Sequence, residues 1–323
     1  MINHSIKKII FSTFALPLII GSAVAAYPDK PIKMLIGYAP GSSTDIVGRM
    51  IANDLSLALK QPVIVENRGG AAGTIAADAE AKSPPDGYTI LFAQNGLAIN
   101  VAANPKLPFN GQKDLLPVVG VAATPHILIV GNNSKAKTVA DLLAMLKADP
   151  GKLSFGSSGI GNSDHMAGEL FLATTGTQAI HIPYKGGSPA ATDLVGGQID
   201  FYFAGMPVGL PLYKGDKAKA LAVTGKNRFS GAPELVTMQE AGIKGYEMAL
   251  WQGMFVPAGT PPAIISALSS TVLKILETPE MKDRFIKAGV QIAPMNTLQF
   301  TDLYISDIAR WKVVIEKAKI KLD

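Results

Sequence analysis

Apolar positions along this chain follow two alternating rhythms. Over residues 45–60, Ile46, Val47, Met50, Ile51, Leu55, Ala58 and Leu59 recur at three- and four-residue spacings, which predicts a helix with one apolar face. Short unbroken apolar runs at 32–36, 63–66 and 89–93 predict buried strands around it, and the stretch NRGGAAGT opens a small-residue helix ending near Lys82. The middle of the chain repeats the order: strand 127–130, helix 138–148 stopped by Asp149-Pro150-Gly151, strand 153–157, helix 163–174. Strand, helix and strand follow within HIPYKGGSPAATDLVGGQIDFYFAG, with Ser188 as the expected N-cap, Pro189 as the first helical residue and Gly196-Gly197 as the stop. KALAVTG adds a strand, and helices are expected at 261–276, 279–288 and 298–318.

Alternation of this kind builds parallel sheets covered on both faces. Two such blocks, separated by extended segments near 118–130 and 246–257, predict an α/β protein of two doubly wound lobes around a cleft. Residues 27–125 plus 250–323 are assigned to the first lobe and 126–249 to the second, with the C-terminal helices packed back on the first.

The first 26 residues stand outside this pattern. Lys7 and Lys8, an apolar stretch over 9–20 interrupted by Pro17, and the small residues Ala23-Val24-Ala25-Ala26 read as a signal peptide cleaved after Ala25 or Ala26. The apolar stretch falls short of the ~20 residues a membrane span needs, so export without stable membrane insertion is expected. Of the 323 residues 48% are hydrophobic and none is cysteine, which is enough for a large core and excludes disulfides, thiolate nucleophiles and Cys-based metal sites. The formal charge of +5 includes Lys7 and Lys8, and the remaining basic residues are scattered, so no nucleic-acid partner is expected.

Chemistry concentrates in a repeated tripeptide. GSS occurs in IGYAPGSSTDIVGRM and again in FGSSGIGNSDHMAGELF, each time after a strand and before a helix. Ligands of α/β sheets sit beyond the carboxyl ends of strands, where helix starts present unpaired amides and a positive dipole end to an anion. Gly41 and Gly156 permit close backbone approach, and Ser42, Ser43, Thr44, Ser157, Ser158, Asn162 and Ser163 supply donors. Capping competes with this reading at each residue alone: Ser43 or Thr44 fits the cap of the first helix and Ser163 that of the second. Recurrence in both lobes favours one shared anion site.

Catalytic motifs are largely missing. GSSGI has Ile160 where a nucleophile elbow needs Gly, and GIGNSD ends on Asp164 where a dinucleotide fingerprint needs Gly or Ala. His165 and Glu169, four apart on a helix, are two ligands and not a zinc site, and neither metal nor cofactor is expected. A serine and a histidine brought together across the lobes stay open as an alternative, that of an exported serine-dependent α/β hydrolase or lyase.

The segments YPDKPIKMLIGYAPGSSTDIVGRM, VENRGGAAGTIA, PPDGYTILFA, LPFNGQKDLLPVV, FGSSGIGNSDHMAGELF, HIPYKGGSPAATDLVGGQIDFYF, ALAVTG and PAGTPP, in this order, cover nearly the whole mature chain. Together they resemble the solute-binding proteins of tripartite tricarboxylate transporters, the TctC or Bug family. The resemblance implies a periplasmic Venus-flytrap protein that captures a small carboxylate between its lobes. It implies ligand contacts from residues 38–45 (Tyr38, Gly41, Ser42, Ser43, Thr44 and Asp45) and from 157–162 (Ser157, Ser158, Gly159 and Asn162), partly through amides and ordered waters. The family's common second Gly after Pro-Gly is replaced here by Ser42. For the far end of the ligand the candidates are Gln94, Asn95, His126, Phe203 and Met206, with Phe203, Met206 and Trp251 as an apolar floor for an aromatic dicarboxylate such as terephthalate. Arg49 and Arg68 read either as carboxylate partners or as structural ion pairs, Arg49 more readily as the latter.

The expected protein is thus a non-enzymatic, monomeric receptor for a small dicarboxylate, working with integral membrane transporter subunits. A liganded form that signals to a membrane sensor kinase is the related alternative.

Overall fold

A computed structural model describes residues 27–318 and Ile320; the expected signal peptide lies outside the described residues. In chain order the first block is β1 (Ile32–Ile36), α1 (Ser43–Leu59), β2 (Val63–Asn67), a 3-10 turn (Ala71–Gly73), α2 (Thr74–Ala81), β3 (Thr89–Gln94) and α3 (Gly96–Ala103). The long strand β4 (Leu115–Gly131) and α4 (Val139–Ala148) lead to the second block: β5 (Ser154–Ser157), α5 (Ser163–Thr175), β6 (Ile180–Pro183), α6 (Gly187–Val195), β7 (Phe201–Gly205), α7 (Met206–Lys214) and β8 (Ala218–Val223). The chain returns through β9 (Ala249–Pro257) and ends with α8 (Pro262–Glu277), α9 (Pro279–Lys287), β10 (Ile292–Met295) and α10 (Thr297–Ala318).

The strand order β2-β1-β3-β9-β4-β7-β5-β6 contains the same device twice. Strands β2-β1-β3 are parallel with β1 in the middle, and β6-β5-β7 are parallel with β5 in the middle. Two antiparallel crossing strands join these units. β4 pairs with β9 from Leu115 to Pro125, then with β7 from His126 and with β8 from Ile127 onward. Each lobe buries apolar side chains on both faces of its sheet, as a doubly wound unit must. In the first lobe one face packs Val47, Ile51, Leu55 and Phe285, the other Leu97, Trp251, Phe255 and Phe300. In the second, Phe155, Phe171, Phe201 and Phe203 fill one face, and Ile127, Leu194, Tyr202 and Met206 the other.

Three expectations change. The helices α3 and α7 were not anticipated: α3 follows its strand after only Asn95, and α7 begins at Met206-Pro207 and contains Pro211, which mask a helical pattern. Ser188 is not a cap, since α6 starts at Gly187. Helices α8 and α9 pack on the first lobe as expected, but α10 straddles both. Its Phe300, Tyr304 and Ile308 lie in the first-lobe core, whereas Trp311 is wholly buried in the second-lobe core beside Ile99 of α3.

Candidate functional site

The loops leaving corresponding strands of the two lobes meet at one place. After β1, the chain turns at Gly41 (φ +79°), whose amide donates to Asp45 Oδ2 at 2.9 Å. Ser42 Oγ accepts from the Asp45 amide at 3.2 Å, so Ser42 is the N-cap of α1, in place of the expected Ser43 or Thr44. Ser43 and Thr44 become the first helical residues, and among the described residues no acceptor meets their amides. Burial works against ionised Asp45, but hydrogen bonds from Arg49, Asn67 and the Gly41 amide outweigh it and hold the carboxyl below its usual range. Arg49 is therefore a structural ion pair, and Arg68 pairs with Glu66.

After β5 the same plan is built with different partners. Asp164, near the start of α5, accepts the Ser158 amide at 2.7 Å, Ser158 Oγ at 2.9 Å and the Tyr202 hydroxyl at 3.0 Å. Burial pushes its carboxyl upward despite these donors. Asn162 holds the N-cap position, yet its side chain donates back to the Ser158 carbonyl at 3.0 Å and does not cap. Ser163 Oγ lies 3.1 Å from His126 Nε2. His126 sits where β4 changes partners, and burial pushes its imidazole down to about 3, so the ring is neutral. Its Nδ1 has no partner among the described residues.

The lobes touch directly here. Ser188 Oγ donates to the Gly41 carbonyl at 3.0 Å, and Asn100 Nδ2 donates to the Gly161 carbonyl at 3.1 Å. At Gly205, the end of β7, an added Cβ would lie 2.2 Å from Ser43 Oγ. The lobes are closed on one another.

Between them lies an inner cavity of about 20 Å³, enough for one or two waters. Tyr38, Ser42, Ser43, Thr44, Gln94, His126 and Ser158 line it, as do Ser163, Asp164, Tyr202, Gly205 and Leu250. A larger cavity of about 710 Å³ adjoins it, and Tyr38 and Ser158 line both. Its walls are the loops after β2 and β6, with Asn67, Gly69–Ala72 and Tyr184–Gly186, together with Gly159, Ile160 and Asn162.

The remaining expected site residues lie elsewhere. Gly41 is beside the cleft and meets Ser188; Asp45 and the wholly buried Ser157 sit behind the loops, Ser157 Oγ 2.6 Å from His181 Nε2. Asn95 donates to the Ala249 carbonyl at 2.9 Å and lines neither cavity. The apolar floor is absent: Phe203 and Met206 are wholly buried in opposite cores of the second lobe, and Trp251 donates to Asp307 in the first-lobe core. Strand parity explains the miss, because Phe201 and Phe203 point to one face of β7 and Tyr202 to the other. The stretch NRGGAAGT, expected from sequence only to open a helix, supplies cavity wall through Asn67 and Gly69–Ala72. Its counterpart Tyr184–Gly186 was missed; both follow the second strand of a lobe, a correspondence the sequence did contain.

A two-lobed α/β chain crossed by two strands, with helix starts of both lobes turned onto one cavity, has the build of a solute-binding protein. Residues 47–320 match the tripartite tricarboxylate transporter family receptor, TctC, and the chain belongs to that family. It is 34% identical to protein BugT of Bordetella pertussis over 298 residues, 92% of this chain and 91% of that one. Among solved structures it is similar to Rpa4515 of R. palustris with adipate, at TM-score 0.88 and 31% identity over 91% of this chain and 99% of the other. It is also similar to MatC of Rhodopseudomonas palustris with bound malate, at TM-score 0.84 and 27% identity over 90% and 100% of the two chains. The family is one of transporter receptors, not of enzymes. The Ser157–His181 pair does not revive the hydrolase reading: Ser157 Oγ is enclosed and already accepts the Gly159 amide, and burial beside His165 pushes His181 down to about 3.

Proposed function

We propose that this protein is exported to the periplasm, closes on a small dicarboxylate and delivers it to integral membrane transporter subunits. The facing starts of α1 and α5 carry this reading, because their first amides lack acceptors among the described residues and, with hydroxyls of both lobes, border one cavity that no Lys or Arg of the described residues lines. One carboxylate at the mouth of the inner cavity, near Tyr38 and Ser158, is met by both lobes at once. A ligand that touches both lobes binds the closed form more tightly than the open one and shifts the population toward it. Lobe boundaries near 125/126 and 249/250 put the two crossings at the pivot. The relatives that hold adipate and malate support a carboxylate ligand. An aromatic ligand such as terephthalate loses the floor on which that preference rested.

Thermal-shift screening of adipate, malate, terephthalate, citrate and acidic amino acids, followed by calorimetry, tests the proposal. At least one dicarboxylate raises Tm and binds saturably without turnover. No shift with any of them at millimolar concentration sinks it. Loss of uptake of that acid in a strain lacking the protein checks delivery.

A further inference from the structure

We infer that Lys185 meets the distal carboxylate of the ligand and makes the protein select dicarboxylates over monocarboxylates of the same length. The inference rests on the carboxylate reading of the cleft. Among the described residues, Lys185 is the one cationic or acidic side chain lining the outer cavity, whose other walls are backbone, small residues, Ile160, Asn67, Asn162 and two tyrosines. Among the described residues no carboxylate lies within ion-pair distance of it, whereas two arginines of the facing lobe are engaged, Arg49 with Asp45 and Arg68 with Glu66.

The segment that carries Lys185 is held on both sides. The Tyr184 amide donates to the Ser157 carbonyl at 3.0 Å, and the Tyr184 hydroxyl to Asp193 Oδ2 at 2.7 Å. Gly186 adopts φ +121°, and an added Cβ there would lie 3.1 Å from Ala39 Cβ of the first lobe. Lys185 is thereby stationed at the rim of the closed cleft, tied through Ser157 to the second anion-facing loop. An acid that places one carboxylate between the helix starts directs its other end into the outer cavity. Lys185 is the only charge of opposite sign that the described cavity wall offers there.

Calorimetric titration of the mature chain with adipate and with hexanoate tests this, in the wild type, Lys185→Met and Lys185→Arg. The wild type prefers adipate; Lys185→Met weakens adipate about fivefold or more with hexanoate unchanged, and Lys185→Arg restores adipate binding. Equal adipate affinity in wild type and Lys185→Met, or equal weakening of both acids, overturns the assignment. A wild type that binds neither acid overturns it too: alone if another dicarboxylate of the thermal-shift screen binds, and together with the carboxylate reading if none does.

Discussion

His126 and Glu80 are buried titratable groups whose burial gives stability opposite dependences on pH. His126 falls from 6.5 to about 3, so the unfolded chain takes up the proton first. Its neutral ring contributes stability that is complete above about pH 6.5 and lost as pH falls toward 3. Between pH 6.5 and 4 the wild type should therefore lose up to about 1.4 kcal/mol per pH unit that His126→Gln does not lose, measured by urea unfolding. Glu80, wholly buried on α2 with neither oxygen hydrogen-bonded among the described residues, is pushed up by burial from 4.5 to about 8. Here stability is complete below about pH 4.5 and drains away as pH rises through 8. Glu80→Gln should stabilise the protein more at pH 8 than at pH 5, by about 3–4 kcal/mol. Equal effects at the two pH values would show that the carboxyl ionises without penalty.

At the scale of elements, the two helix starts reach the same end by different local means. The α1 turn is capped by Ser42 and braced by Asp45, while the α5 turn is braced by Asp164 and carries no side-chain cap. Ser42 thus does a cap's work and also lines the cavity. The end of β7 tests closure most directly. Gly205 has φ −58°, which alanine accepts, but the added Cβ would collide with Ser43 of the opposite lobe. Gly205→Ala should weaken ligand binding at least tenfold, about 1.4 kcal/mol or more, with the unliganded Tm nearly unchanged. Undiminished affinity by calorimetry would mean that binding does not require this approach of the lobes. The strands and the long helices were legible in sequence, since period and stop signals are local. The helices α3 and α7 were not, because short elements rich in Pro or small residues carry little periodicity.

For the molecule as a whole, α10 couples what the chain order divides. With Phe300 and Tyr304 in the first-lobe core and Trp311 in the second, the second lobe does not complete its core without the helix it shares with the first. Calorimetric unfolding should therefore show one cooperative transition, with calorimetric and van't Hoff enthalpies in agreement. Two resolved transitions would make the lobes independent. Trp311→Ala should lower stability by about 3–5 kcal/mol, read from the denaturant midpoint.

Local pattern in the sequence determined the α/β alternation, the two blocks and the equivalence of the GSS turns, because helix period, strand runs and glycine turns are properties of neighbouring residues. Only the tertiary structure decided which side chains reach the cleft. Alternation along β7 says that Tyr202 and Phe203 face opposite ways but not which of them faces Asp164; the order β6-β5-β7 and the crossing at His126 decide that. The outer cavity likewise exists because two sheets of like order bring the loops after β2 and β6 together, a convergence between residues more than a hundred positions apart that no local signal records.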